Sequence, residues 1–310
     1  MVVIATAALS FSQSVRDVAI LRSIGGFAFA FFWPTSEALV IDLAPAENRV
    51  REMGIYSISW GLGFLIGPIL GGLIVEVYVF MRLFAISAVL ITLAFFMTVW
   101  RFVPRYSRRE LHRAETDLSS TLSIMRRLMP WYMVTLCYGI ISGVVMSIFP
   151  GYANSVGISP ALIGVIFSTF TAARIFVFAV LRWLLNFGEV RLLLAVSAIL
   201  GVGVLSLAVS PSFEAFLLIM TVIGCCFATI FPLIISMVSR HFPVQKLGAA
   251  TGSYETVFGF GSAVGPILAG SVAHFMNVRW AFASLSLLSA AMFMFVTAGK
   301  TKTPLDADKR

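Results

Sequence analysis

Long apolar runs broken by short polar intervals dominate the chain. The runs cover about 17–41, 53–75, 81–100, 129–150, 161–182, 191–209, 214–238, 247–272 and 277–298. Each is long enough to cross a hydrocarbon core of about 30 Å as a helix, which takes roughly 20 residues. Nine crossings are predicted. The opening run, Met1 to Phe11, has the same character, but as a helix it reaches only about 16 Å. It predicts half a crossing, and it lacks the basic stretch that opens a secretory signal. The longest polar interval, Arg101 to Leu128, is rich in Arg, Glu and Ser. It divides the chain into a first bundle over 1–100, a linker over 101–128, a second bundle over 129–299 and a tail over 300–310.

Composition excludes a water-soluble globule. The 310 residues are 59% hydrophobic and 12% charged, with a mean hydropathy of +0.98. Soluble proteins carry roughly 25% charged residues. The three cysteines, Cys137, Cys225 and Cys226, all sit in apolar runs, where they read as small packing residues. His112, His241 and His274 are isolated. With no HExxH, GxSxG or P-loop pattern, neither an enzyme, a metal site nor a bound cofactor is predicted. Gly259-Phe260-Gly261 followed by Gly265 has the wrong final spacing for a dinucleotide fingerprint and lies inside an apolar run.

A net charge of +8 suggests nucleic acid until the basic residues are placed. Arg49, Arg51, Arg101, Arg105, Arg108, Arg109, Arg113, Arg126, Arg127, Arg182, Arg191, Arg240 and Lys246 fall in or beside every second interval, and Lys300, Lys302, Lys309 and Arg310 lie in the tail. The alternate intervals hold only Arg16, Arg82 and Arg279. Seventeen against three, in strict alternation, is the positive-inside pattern. The basic intervals and the C-terminus are therefore expected in the cytoplasm of a multi-pass plasma-membrane protein. No nucleic-acid partner is implied.

Sliding the chain against itself exposes an internal repeat at an offset of 198 residues. Gly26 falls on Gly224, Pro34 on Pro232, Pro45 on Pro243, Gly54 on Gly252 and Tyr56 on Tyr254. The run Gly67-Pro68-Ile69-Leu70 falls on Gly265-Pro266-Ile267-Leu268, and Gly72 on Gly270. Fifteen of the 47 positions from Gly26 to Gly72 are identical. Two parallel homologous halves are a transporter architecture, in which substrate binds between them. The second half begins near residue 129, so about seventy residues of the first half are expected to be missing before Met1.

The chain resembles the major facilitator superfamily, whose complete members have twelve helices in two six-helix halves. The resemblance covers essentially all 310 residues. It implies an all-α polytopic membrane protein with a two-bundle major facilitator fold lacking helices 1, 2 and part of 3, so that 1–100 is a remnant of the N-terminal bundle. Gly54, Gly63, Gly67, Pro68, Gly71 and Gly72 match the fifth-helix motif of the superfamily's proton-coupled drug antiporters. Gly252, Gly261, Gly265, Pro266 and Gly270 are its second copy, with Ala269 in place of one glycine. Read physically, Gly63, Gly67 and Gly71 share a face that lets another backbone approach. Pro68 bends the helix beside it. A gating role and ordinary glycine packing both remain open.

Other site residues follow from the resemblance and from charge placement. Arg22, four residues before Gly26, resembles the cavity-facing arginine of helix 4. Asp42 and Arg49 resemble part of a cytoplasmic charge network. Arg174 and Glu255 lie about eight residues, or 12 Å, from the cytoplasmic ends of their runs. Intramembrane charges face the bundle interior with a partner or water, so these two predict either a proton-carrying site or a structural ion pair. By analogy with the family, Tyr132, Tyr138, Ser142, Thr221 and Thr229 are expected to line the substrate cavity.

The function implied is secondary active transport of a small molecule by alternating access, coupled to H+ and directed outward, by a monomer in the bilayer. Symport or facilitated uptake is a second reading, and a truncated fragment or scaffold that does not transport is a third.

Overall fold

Hydrocarbon offers backbone N–H and C=O groups no water, and a helix pairs them all within one segment. The computed structural model describes residues 1–43, 49–78, 80–102, 118–209, 212–242 and 247–302. Its elements in chain order are α1 (Val2–Leu9), α2 (Val15–Leu43), α3 (Arg49–Val77), α4 (Phe80–Phe102), α5 (Leu118–Arg127), α6 (Met129–Ser155), α7 (Pro160–Leu184), a single 3-10 turn at Leu185–Phe187, α8 (Glu189–Val209), α9 (Phe213–Ser239), α10 (Leu247–Phe275) and α11 (Val278–Lys302). Eight of these helices are long and apolar enough to cross a membrane. α2, at 29 residues, completes the nine of crossing length. The opening run forms the short helix its length predicts, 8 residues or about 12 Å. α5 is a helix where the sequence predicts only linker. Residues 103–117 and 303–310, the rest of that linker and most of the tail, lie outside the described residues.

The helix boundaries reproduce the repeat. Shifted by 198 residues, α3 falls on α10 at both ends, and α2 and α4 begin where α9 and α11 begin. α1 falls inside α8.

Local chemistry sets the ends. Ser14 and Asp17 form a reciprocal cap on α2: the Asp17 carboxylate accepts from Ser14 N at 2.9 Å, and Ser14 Oγ accepts from Asp17 N at 3.1 Å. Ser212 Oγ caps α9 by accepting from Ala215 N at 3.2 Å. After α6, Gly157 adopts φ of +90° while Ile158 N donates to Ala153 O at 3.1 Å, a left-handed helix stop that favours glycine.

The chain divides into two compact units. One comprises Met1–His112 with Ser159–Gly164, the other Arg113–Ile158 with Val165–Arg310. In the first, α1 packs on α2 and α4, and α3 contacts both α2 and α4. Among the described residues its buried apolar core is small, at Ala5, Leu9, Ala88 and Ile163, while Leu62, Phe64, Leu90, Phe95 and Phe96 are exposed. Such surface suits lipid rather than water. In the second unit α6 packs against α10, α11 and α9, and α8 against α9 and α11. Trp131, Phe149, Phe170, Phe216, Phe227 and Phe282 are fully buried there. Ser289 Oγ on α11 donates to Ser197 O on α8 at 2.5 Å, one of the polar links that hold helices together in an apolar surround. An exposed bidentate ion pair, Arg240 to Glu189, joins α9 to α8. Exposed pairs contribute about 0–1 kcal/mol, so Arg240→Gln is expected to leave thermal unfolding of the detergent-purified protein within about a degree of the parent.

Candidate functional site

The motif helix of the first unit is α3, bent-prone at Pro68. Its expected contact face is corrected by the structure. A Cβ at Gly63 or Gly67 would meet nothing within 4 Å, and one at Gly71 would make only an ordinary contact with Leu83. The close approach is on the neighbouring row, one residue on. A Cβ at Gly72 would stand 2.3 Å from Pro160 O, and one at Gly164 would stand 2.2 Å from Pro68 O. α3 and the segment Ser159–Gly164, which belongs to the same compact unit, therefore touch backbone to backbone.

Glu76 completes this contact. Its Oε2 accepts from Ser159 Oγ at 3.2 Å and from Ala161 N at 3.1 Å. Pro160 has no N–H, so Ala161 offers the first amide of α7. A carboxylate from another helix thus caps the positive end of α7. Sequence reasoning missed Glu76 because its partner lies 85 residues away.

The second copy of the motif behaves as the sequence predicts for the first. Cβ atoms at Gly261 and Gly265 on α10 would meet Leu136 O and Ile140 O on α6 at 2.6 Å each. From α6, Gly139 and Gly143 face Phe258 O at 2.5 Å and Ser262 O at 2.3 Å. Four glycines interlock two backbones. Gly139 and Gly143, four residues apart, were legible as a small-residue pair and were not singled out. Gly252 and Gly270 have open space around them.

Around this seam sits an aromatic and charged group. Tyr138 packs edge-on to Phe227 at 5.1 Å and tilted against Phe258 at 5.2 Å. It lies within electrostatic reach of both Arg174 and Glu255. Arg174 forms no ion pair with any described residue. Its guanidinium lies 5.7 Å from the Phe170 ring centroid, and its Nε is buried without a hydrogen-bond partner. The ion pair that similar depth suggested is therefore absent between Arg174 and Glu255.

The residues expected to line a substrate cavity lie on α6 and α9. Tyr132, Tyr138, Ser142 and Thr229 are buried. Thr221 and Thr229 donate to Leu217 O and Cys225 O one turn back, at 2.6 Å and 2.9 Å, so both hydroxyls serve their own helix. Tyr132 makes the interhelical bond of the group, 2.6 Å to Ser253 Oγ on α10. A neutral hydrogen bond contributes about 0.5–1.5 kcal/mol. Tyr132→Phe is expected to lower stability by about 1 kcal/mol, read as a small drop in thermal midpoint, and Ser253→Ala should not add to it.

Arg22 is exposed on α2, 5.4 Å from the Phe84 ring centroid on α4. With Ala5, Leu9, Leu21, Gly25 and Phe29 it lines a cavity of about 250 Å3 in the first unit. Gly54, Asp42 and Arg49 lie in helices, but their side chains are outside the described residues. No group of three or more metal-ligating side chains occurs among the described residues.

Helices of crossing length repeated in two copies, with close-packed glycine seams and charges at membrane depth, define a polytopic membrane protein of the transporter class. The chain belongs to the Major Facilitator Superfamily, whose sequence profile matches residues 1–134 and again 131–309. It is 25% identical over 306 residues to the uncharacterised MFS-type transporter YfkF of Bacillus subtilis, covering 94% of this chain and 74% of that protein. It is 22% identical over 296 residues to the multidrug resistance protein MdtG of Rahnella, covering 93% and 70%. Multidrug resistance protein 1 of Bacillus subtilis is 24% identical over 302 residues, covering 89% and 72%. In fold it is similar to the peptide transporter POT, with a TM-score of 0.71 at 12% identity over 96% of this chain and 77% of that one. It is also similar to the human organic anion transporter MFSD10, with a TM-score of 0.58 at 20% identity over 95% and 74%.

Proposed function

We propose that this chain moves a small molecule across the membrane by alternating access, coupled to a proton and in the direction of export. The observation that carries the reading is the placement of Arg174 and Glu255 about the buried Tyr138. Ionisable groups at membrane depth are retained for transport roles. In this scheme Glu255, exposed on α10, gains a proton on one side of the membrane and loses it on the other. Arg174 supplies the fixed positive charge against which that change is felt. Pro68 and Pro266, inside α3 and α10, are the bending points. Export is supported by the relatives named as multidrug resistance proteins and by the match of Gly54 to Gly72 to the antiporter motif. The basic intervals face the cytoplasm.

The test uses the purified chain in liposomes loaded with a fluorescent lipophilic dye such as ethidium. An imposed pH gradient is expected to drive dye movement, and Glu255→Gln to reduce the gradient-driven rate at least tenfold. Dye movement that ignores the gradient in both proteins would overturn the coupling.

A further inference from the structure

We infer that α5 is a binding site for anionic phospholipid, with Arg126 and Arg127 taking the headgroup phosphate and Leu122 lying against the acyl chains. α5 ends one residue before α6, and that residue, Leu128, is fully buried. Leu128 N donates to Ile124 O at 2.9 Å, and Trp131 N donates to Leu128 O at 2.9 Å. The hydrogen-bonded path thus runs from one helix into the next, broken only by the turn that Pro130 imposes. α5 is tied in register to a membrane span.

Depth follows from length. α6 has 27 residues, about 40 Å against a hydrocarbon core of about 30 Å. The excess leaves room for its first turn in the interfacial layer, which would put Arg126 and Arg127 at headgroup level. Ile124 and Met125 are half-buried. The opposite side presents two adjacent i, i+4 rows, Leu122 with Arg126 and Ser123 with Arg127, all four exposed and lining one surface depression.

The composition of that patch selects the occupant. Two guanidiniums match a phosphate. Leu122, 54% exposed on the same face, adds apolar surface that an occupant bringing hydrocarbon would cover. A membrane lipid meets both demands and a soluble phosphate meets one. The positive residues sit in the interval that the charge alternation assigns to the cytoplasm, where the leaflet is anionic.

The experiment measures lipid binding to the purified full chain by native mass spectrometry and thermal shift, with phosphatidylglycerol, phosphatidylcholine and inorganic phosphate as probes. Each interfacial arginine contributes about fivefold in affinity. The double variant Arg126→Gln/Arg127→Gln is expected to weaken phosphatidylglycerol binding by roughly 20-fold and phosphatidylcholine binding, whose choline offsets the phosphate charge, by much less. Arg16→Gln is the control for lost charge elsewhere and should leave phosphatidylglycerol binding as in the parent. Leu122→Ser should weaken the lipid alone. Equal binding of phosphatidylglycerol to parent and double variant would overturn the proposal, as would competition by inorganic phosphate at matched concentration. Size-exclusion profiles of the variants separate misfolding from lost binding, and Arg126→Lys/Arg127→Lys, which keeps both charges, should retain most of the affinity.

Discussion

Gly143→Ala is expected to lower the stability of the second bundle by about 1–2 kcal/mol, and Gly265→Ala to do the same. Two effects compete. Replacing a helical glycine with alanine gains up to about 1 kcal/mol in helix propensity, whereas overfilling a packed contact costs about 1–3 kcal/mol. Overfilling wins here because the obstacles are backbone atoms: Ser262 O at 2.3 Å from the new Cβ at 143, and Ile140 O at 2.6 Å from that at 265. A side chain could turn aside, but a helix backbone cannot. Gly63, Gly67 and Gly270 meet nothing within 4 Å, so alanine there should leave the midpoint unchanged or slightly raised. Thermal unfolding of detergent-purified variants checks the contrast. A uniform response across the five positions would show that the motif glycines act through helix propensity rather than through the seam.

Glu76→Ala should loosen the start of α7 without unfolding the protein. The lost acceptors for Ala161 N and Ser159 Oγ amount to a helix cap, worth about 1 kcal/mol. Hydrogen exchange over residues 161–164 is therefore expected to speed up about fivefold. Glu76→Gln keeps an acceptor oxygen but loses the charge that faces the helix's positive end, and should fall between the two. Gly72→Leu attacks the same contact sterically, since its Cβ would stand 2.3 Å from Pro160 O, and should produce the larger change. Unaltered exchange in both Glu76→Ala and Gly72→Leu would mean that α3 does not hold the first turn of α7. Because α3 also carries Pro68, the proposed bending point, these variants test whether cap and bend act on one helix.

Much of the architecture was readable along the chain. Run length alone predicts nine crossing helices and a short opening one, because hydrocarbon thickness sets a minimum length and leaves few alternatives to a helix. The 198-residue repeat predicts which helices correspond, and α3 and α10 agree at both ends. α5 escaped because ten residues of mixed polarity carry no crossing signal. The candidate site was legible only as a set of residues. Arg174 and Glu255 stood out as charges in apolar runs, but their depth along two helices does not say how the helices are rotated. Both lie within electrostatic reach of Tyr138, and no ion pair forms between them. Likewise the sequence marks glycines every fourth residue in two places but cannot choose among adjacent rows.

Membrane embedding, helix number, repeat and superfamily membership are thus determined by the sequence itself, since they rest on hydropathy, spacing and identity counted along one dimension. Tertiary structure decided which glycines bear a contact, that Glu76 caps a helix 85 residues away, and that Thr221 and Thr229 turn their hydroxyls back on their own helices. Each of those outcomes depends on which neighbour occupies a given face, and a Cβ either fits against that neighbour's backbone or does not.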